Sequence, residues 1–213
     1  MMDYPVLYTF RRCPYAMRAR MALKYANISY IHREVKLSER PKELYKISSK
    51  GTVPVLHISD SEIIDESIEI MHYALNKRDI DDWYIFNKSL QNKLIEKNDG
   101  PFKKALDRYK YHVRFKEDSY ESHQEQVSKL LNEYDTILDD QNFLINDHIS
   151  LADIAIFPFV RQCAHVDLIW FEDKFKNLYT WLENFKGSSL FLSIMGKYQF
   201  WKPEDKQTII NND

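Results

Sequence analysis

The amino-acid sequence predicts an α/β domain followed by an all-helical domain. Three observations carry that expectation. Up to about residue 78, β-rich runs alternate with helix-spaced segments; beyond residue 83, apolar residues recur at helical spacing almost throughout; and a short acidic segment, 79–82, lies between the two patterns. The chain of 213 residues, 44% of them apolar, has the material for two small cores. The expected boundaries are 1–78, a linker at 79–82, and 83–213.

Within the first half, 5–10 is a short β-rich run that reads as a buried strand, and 14–26 has the spacing of a helix. Residues 28–35, rich in β-branched and aromatic side chains, read as a second strand, and 38–47 as a short helix. Residues 54–58 and 61–64 flank Ser59-Asp60 and read as a hairpin, after which 67–76 returns to helical spacing. The order β-α-β-α-β-β-α allows a parallel strand pair joined by a crossover helix, followed by the hairpin. In the second half, helices are expected near 83–98, 101–117, 119–141, 150–165, 174–186 and 188–195, punctuated by Gly100-Pro101 and Gly187. Ser150-Leu151-Ala152-Asp153 has the form of a capping box, with Asp where Glu is usual.

Charge and composition narrow the function. Thirty Lys and Arg against 32 Asp and Glu give a net charge near −2, which argues against a dedicated nucleic-acid binder. The longest apolar runs are far shorter than the roughly 20 residues a membrane-crossing helix needs. The segment Met1-Met2-Asp3-Tyr4-Pro5 carries no basic stretch leading into an apolar one, so no signal peptide is expected. Two cysteines, Cys13 and Cys163, are too few for a disulfide framework and fit a reducing cytoplasm. No Cys-x-x-Cys occurs and the histidines are scattered, so no metal site is expected. None of the four glycines builds a phosphate-cradling loop. The positive charge is concentrated before residue 79, where 13 basic residues face 9 acidic ones, making the first half the better host for an anion.

The most informative segment runs Phe10-Arg11-Arg12-Cys13-Pro14-Tyr15-Ala16-Met17-Arg18. Pro14 suits the first position of a helix, which places Cys13 at the helix N-terminus, near orphan N–H groups and the positive end of the dipole. A thiolate is the reactive form of cysteine, and an unperturbed thiol with a pKa of about 8.5 is only a few per cent ionised near neutrality. Lowering that pKa by about two units takes roughly 2.7 kcal/mol of selective stabilisation. A helix terminus typically supplies about 0.3–1 kcal/mol, and Arg11, Arg12, Arg18 and hydrogen bonds to sulfur are the groups able to add part of the remainder. A buried, inert cysteine is the competing reading, and it suits Cys163 better than Cys13, because Cys163 lies in an apolar helical stretch.

With these residues in view, the first 78 residues resemble the thioredoxin-like domain of glutathione transferases and glutaredoxins, and the helical remainder resembles the transferase C-terminal domain. Cys13-Pro14-Tyr15-Ala16 is similar to the Cys-Pro-aromatic motif of omega-class transferases and plant dehydroascorbate reductases. The resemblance implies Cys13 as the catalytic thiol and glutathione as cosubstrate. It implies a cis bond between Val53 and Pro54 in Thr52-Val53-Pro54-Val55-Leu56, with the Val53 backbone meeting the cysteinyl part of glutathione. It implies that Glu66 and Ser67, before the helix at 67–76, take the γ-glutamyl ammonium and carboxylate. Arg40 of Arg40-Pro41, where the omega pattern has Lys-Pro, would take the glycyl carboxylate. Tyr15, Tyr109, His112 and Arg161 are candidates to line a second-substrate pocket between the domains. A homodimer is implied as well.

The sequence departs from the pattern in two places. Ser48-Ser49 stands where Asn-Pro is common, and Ala16 stands where dithiol glutaredoxins have a second cysteine, so no disulfide can form within the motif. Three functions remain in view: thiol transfer or dehydroascorbate-type reduction through a Cys13–glutathione mixed disulfide; conjugation of glutathione to electrophiles, with Cys13 dispensable and Tyr8 or Thr9 aiding the thiolate; and a transferase-like fold used only for protein interaction.

Overall fold

A computed structural model describes residues 4–212. The chain divides into two units, one of residues 1–81 together with 188–213, the other of residues 82–187. The first unit holds a mixed sheet in the order β4-β3-β1-β2-β5. Its strands are β1 (Val6–Thr9), β2 (Tyr30–Glu34), β3 (Val55–Ser59), β4 (Glu62–Ile64) and β5 (Thr208–Ile210). Helix α1 (Pro14–Tyr25) carries the chain from β1 to its parallel partner β2, with Val6 beside Ile31 and Thr9 beside Glu34. Helix α2 (Lys42–Ile47) precedes the antiparallel hairpin β3–β4, and α3 (Ser67–Lys77) follows it. The predicted β-α-β-α-β-β-α order is the order observed.

The side chains of the central strand alternate between the two faces of the sheet. All four β1 residues are buried, because both faces of the sheet are covered. Val6 and Tyr8 join Ile31, Val35, Leu44, Val53 and Val55 in one core, on which Cys13 and Trp201 also pack. Thr9, on the opposite face, turns its hydroxyl to Arg20 of α1. Burying those seven core residues at about 25 cal/mol per Å² makes this face a main source of the unit's stability.

Residues 188–213 were expected in the helical domain, yet they return to the first unit. Helix α10 (Ser189–Ser193) packs on α1, and β5 adds to the free edge of β2 in antiparallel register, Tyr30 beside Ile210 and His32 beside Thr208. This covers an edge that would otherwise present unpaired backbone groups.

The second unit is helical: α4 (Lys88–Lys97), α5 (Lys103–Lys110), α6 (Tyr120–Ile137), α7 (Leu151–Ala164), α8 (Leu168–Lys174) and α9 (Lys176–Gly187). Gly100-Pro101 does not separate two helices as expected: a π-helical turn, Asn98–Phe102, passes through it with Pro101, which has no N–H for the ladder, inside. The capping box at Ser150 and Asp153 is present and opens α7, which is buried nearly throughout. Among the described residues, no single helix is long and apolar enough to cross a membrane.

Candidate functional site

Cys13 follows a tight turn at the end of β1. Its N–H donates to Phe10 O at 3.0 Å, and its carbonyl accepts from Met17 N at 2.9 Å, so it is the residue that starts α1. Its own backbone is extended, its side chain does not cap the helix, and Pro14 occupies the first helical position. The sulfur is therefore left over the N-terminal end of a 12-residue helix, half-buried, where partial positive charge accumulates. The thiol lies 3.7 Å from Val53 O, two residues before β3.

A cleft of about 390 Å³ opens over this sulfur. Its walls are Cys13, Tyr15, Leu37, Arg40, Thr52, Val53, Pro54, Asp65, Glu66 and Ser67. Every site residue expected in the first domain is in that set, brought together from four separate segments of the chain. The Val53–Pro54 peptide is cis. Two residues earlier, Gly51 has φ +59°, and a Cβ there would sit 2.3 Å from a ring carbon of Tyr45. Gly51→Ala is expected to cost about 1–2 kcal/mol from the left-handed backbone and the crowding, read as a lowered unfolding midpoint in urea.

The acidic wall is built by the start of α3. Glu66 is its first flanking residue and Ser67 its first helical one. Ser67 Oγ accepts from the buried Arg18 Nε at 3.0 Å, which leaves the hydroxyl hydrogen available to an incoming acceptor. Asp65 and Glu66 already hold one ammonium between them: Lys50 Nζ is 3.0 Å from Asp65 Oδ1 and 2.5 Å from Glu66 Oε1. Asp65 Oδ2 accepts from Ser48 Oγ at 2.7 Å. That hydroxyl, and then Lys50, hold the Asp65 carboxyl below the ordinary aspartate value. Because the folded value is the lower one, the stabilisation is present above the ordinary carboxylate pKa and is lost as pH falls through the folded value. Ser48→Ala is expected to move the Asp65 midpoint upward in a carbon-detected NMR titration.

Sequence reasoning missed several of these neighbours. Thr52, Asp65 and Leu37 line the cleft, Lys50 pairs with its carboxylates, and Ser48, noted only as a departure from pattern, anchors Asp65. Arg18, one of three nearby arginines expected to favour the thiolate, donates its Nε to Ser67 Oγ.

Tyr8, the alternative aid to a glutathione thiolate, does not line the cleft. It is 2% exposed, its hydroxyl accepts from Arg33, and its ring meets Trp201 edge-on at 5.8 Å. Burial pushes its phenol up, with Arg33 opposing. In the helical unit, Tyr109 is fully buried; its hydroxyl bonds Tyr120 at 3.0 Å and Gln124 at 3.1 Å, and its ring packs on Trp170. These contacts give Tyr109 a packing role. His112 is half-buried, with Nδ1 3.3 Å from Tyr109 O, and Arg161 is half-buried near the end of α7. Cys163 is fully buried, and burial pushes its thiol up.

Comparison with known proteins agrees with this architecture. The glutathione S-transferase N-terminal domain matches residues 7–80, and the glutathione S-transferase C-terminal domain matches residues 88–188. The chain belongs to the glutathione S-transferase family. Among its relatives is glutaredoxin 2 of Escherichia coli, 27% identical over 186 residues, covering 75% of this chain and 85% of that protein. Human glutathione S-transferase omega-2 is 33% identical over 67 residues, 32% of this chain and 28% of the human one. A glutathione transferase family member from Pseudomonas fluorescens, solved with two glutathione molecules bound, shares the fold at TM-score 0.77 and 15% identity, over 91% of this chain and 92% of that one. An epsilon-class glutathione S-transferase from housefly shares it at TM-score 0.75 and 20% identity, over 89% and 91%.

Proposed function

We propose that this transferase-family chain is a glutathione-dependent thiol transferase with Cys13 as its nucleophile. The observation that carries the reading is the convergence of Cys13 with Val53, Glu66 and Ser67 on one cleft at the start of α1. In the first step, the Cys13 thiolate attacks the glutathione sulfur of a mixed disulfide. A Cys13–glutathione disulfide forms, the old S–S bond breaks, and the other sulfur leaves as a thiolate and takes a proton. A second glutathione thiolate then attacks the glutathione sulfur on Cys13, releasing glutathione disulfide and restoring the Cys13 thiolate. Each turnover consumes one mixed disulfide and one free glutathione and yields one thiol and one glutathione disulfide. Dehydroascorbate-type reduction uses the same thiol.

Each part of glutathione has a partner of matching chemistry. The cysteinyl backbone meets the backbone of Val53 through main-chain bonds. The γ-glutamyl carboxylate takes the Ser67 hydroxyl and the N-terminal end of α3. The ammonium joins Asp65 and Glu66, sharing them with Lys50 or displacing it. The glycyl carboxylate reaches Arg40, which is exposed. A single exposed charge pair is worth about 1 kcal/mol, so Arg40→Ala is expected to raise the KM for glutathione about fivefold with little change in kcat.

The test is covalent trapping. After exposure to glutathione disulfide, peptide mass mapping is expected to find glutathione on Cys13. A chain that binds glutathione but carries none on Cys13 overturns the reading and favours conjugation. Tyr15, His112 and Arg161 remain candidates for contact with the second substrate, a small disulfide or a protein thiol adduct. A homodimer working in a reducing cytoplasm, with glutathione as cosubstrate, completes the proposal; sedimentation tests the dimer.

A further inference from the structure

The turn that carries Cys13 is gripped from two sides by buried charges. Arg20, in the middle of α1, is 1% exposed. Its Nη1 donates to Thr9 Oγ1 at 2.5 Å and to Phe10 O at 3.3 Å, its Nη2 to Arg11 O at 2.8 Å, and its Nε to Ile194 O at 3.3 Å. Phe10 O is also the acceptor of the Cys13 N–H. All four acceptors of this guanidinium are neutral. On the other side is Glu34 of β2, 4% exposed. Its Oε1 accepts from Arg11 N at 2.7 Å, and its Oε2 is 3.0 Å from His32 Nε2. Arg11 is thus held by its carbonyl to the cation and by its N–H to the anion, two residues before the sulfur.

A buried guanidinium without a bonded carboxylate is costly unless nearby acids answer its charge. Burial pushes Arg20 down, opposed by Tyr30, Glu34, Cys13 and Tyr198 in that order. Arginine stays charged at any working pH, so the unbalanced field falls on groups that can ionise nearby. We propose that Arg20 and Glu34 are positioning residues for Cys13, a buried cation and anion that fix its turn from opposite sides and bias its ionisation in opposite directions. The proposal rests on Cys13 being the reactive thiol of the cleft. It supplies the electrostatic help that a helix terminus alone does not provide. The other charged or titratable groups around the turn are Arg11 and Arg12 on it, Tyr15 and Arg18 on α1, Arg40, Asp65 and Glu66 in the cleft, His32 on β2 and Tyr198 in the C-terminal segment.

The opposite signs make the idea testable apart from any loss of packing. The rate of iodoacetamide alkylation of Cys13, read by peptide mass, is followed against pH in the wild type, Arg20→Met, Arg20→Lys and Glu34→Gln. In Arg20→Met, the midpoint is expected to rise by about one unit, a tenfold lower thiolate fraction at pH well below both midpoints. In Arg20→Lys, which keeps the charge but loses the forked bonds, the rise is smaller. In Glu34→Gln, whose amide oxygen still accepts from Arg11 N, the midpoint is expected to fall. An unchanged midpoint in folded Arg20→Met, or a shift of the same sign in the Arg20 and Glu34 variants, overturns the proposal. If Arg20→Met does not fold by circular dichroism, Glu34→Gln decides: an unchanged or raised midpoint sinks it. Alkylation needs no glutathione, so this outcome is independent of the trapping experiment at Cys13.

Discussion

Replacing Cys13 with serine is expected to lower turnover of a small glutathione mixed disulfide by at least about a thousandfold, with glutathione binding nearly unchanged. The reasoning is chemical. Serine is close to isosteric, so the turn from Phe10 to Pro14 and the contact with Val53 survive. A hydroxyl in that position has neither the acidity nor the nucleophilicity to attack sulfur, and no mixed disulfide can form. The loss therefore falls on kcat rather than on the KM for glutathione. Binding to a glutathione resin separates the outcomes. Retained binding with lost turnover assigns the nucleophile. Wild-type turnover in the mutant sinks the thiol-transfer reading, and retained or increased conjugation activity would replace it. Cys163→Ala serves as the control: that thiol is sealed in the helical unit and pushed up by burial, so its removal leaves turnover intact at temperatures where the variant is folded.

What was legible in the sequence was local. Cys13-Pro14 is a helix start and leaves residue types at fixed spacing; Val53-Pro54 and Glu66-Ser67 stood out only through the resemblance to glutathione transferases. The helix α1 and the hairpin β3–β4 were legible through periodicity and turn chemistry. What escaped depends on partners far away in sequence. Strand β5 is three residues long and follows a polar stretch; only its pairing with β2, more than 170 positions earlier, makes it a strand. Helix α8 is short, and its N-cap at Asp167, whose side chain accepts from Trp170 N, was the one available signal. The roles of Arg20 and Lys50 were equally hidden. Arg20 looks like one more cation near the motif until Thr9, Phe10, Arg11 and Ile194 are seen to surround it. Lys50 looks like a surface lysine until the fold brings Asp65 and Glu66 to it.

Asp153→Ala is expected to be the most destabilising single substitution considered, costing about 3–5 kcal/mol. The carboxylate is fully buried and accepts four bonds: Leu144 N at 2.9 Å and Trp181 Nε1 at 3.1 Å on Oδ1, Ser150 N at 3.0 Å and Ser150 Oγ at 2.5 Å on Oδ2. Alanine leaves three buried N–H donors without an acceptor. Each orphaned donor costs about 1–3 kcal/mol, partly recovered as the site relaxes, while the Ser150 Oγ cap on the backbone N–H of residue 153 survives. Against a typical total of about 5–15 kcal/mol, that is a large share. The bonds also tie three segments together, the loop before α7, α7 itself and α9, so the loss falls on the centre of the helical unit rather than on a fraying end. Asp153→Asn tests the mechanism. Its amide oxygen can keep Leu144 and Trp181, but its NH2 then faces the Ser150 N–H, so a smaller loss is expected. Urea unfolding should rank the wild type above Asn and Asn above Ala; equal stability of Ala and the wild type would show that the carboxylate's bonds are not what holds α7 in place.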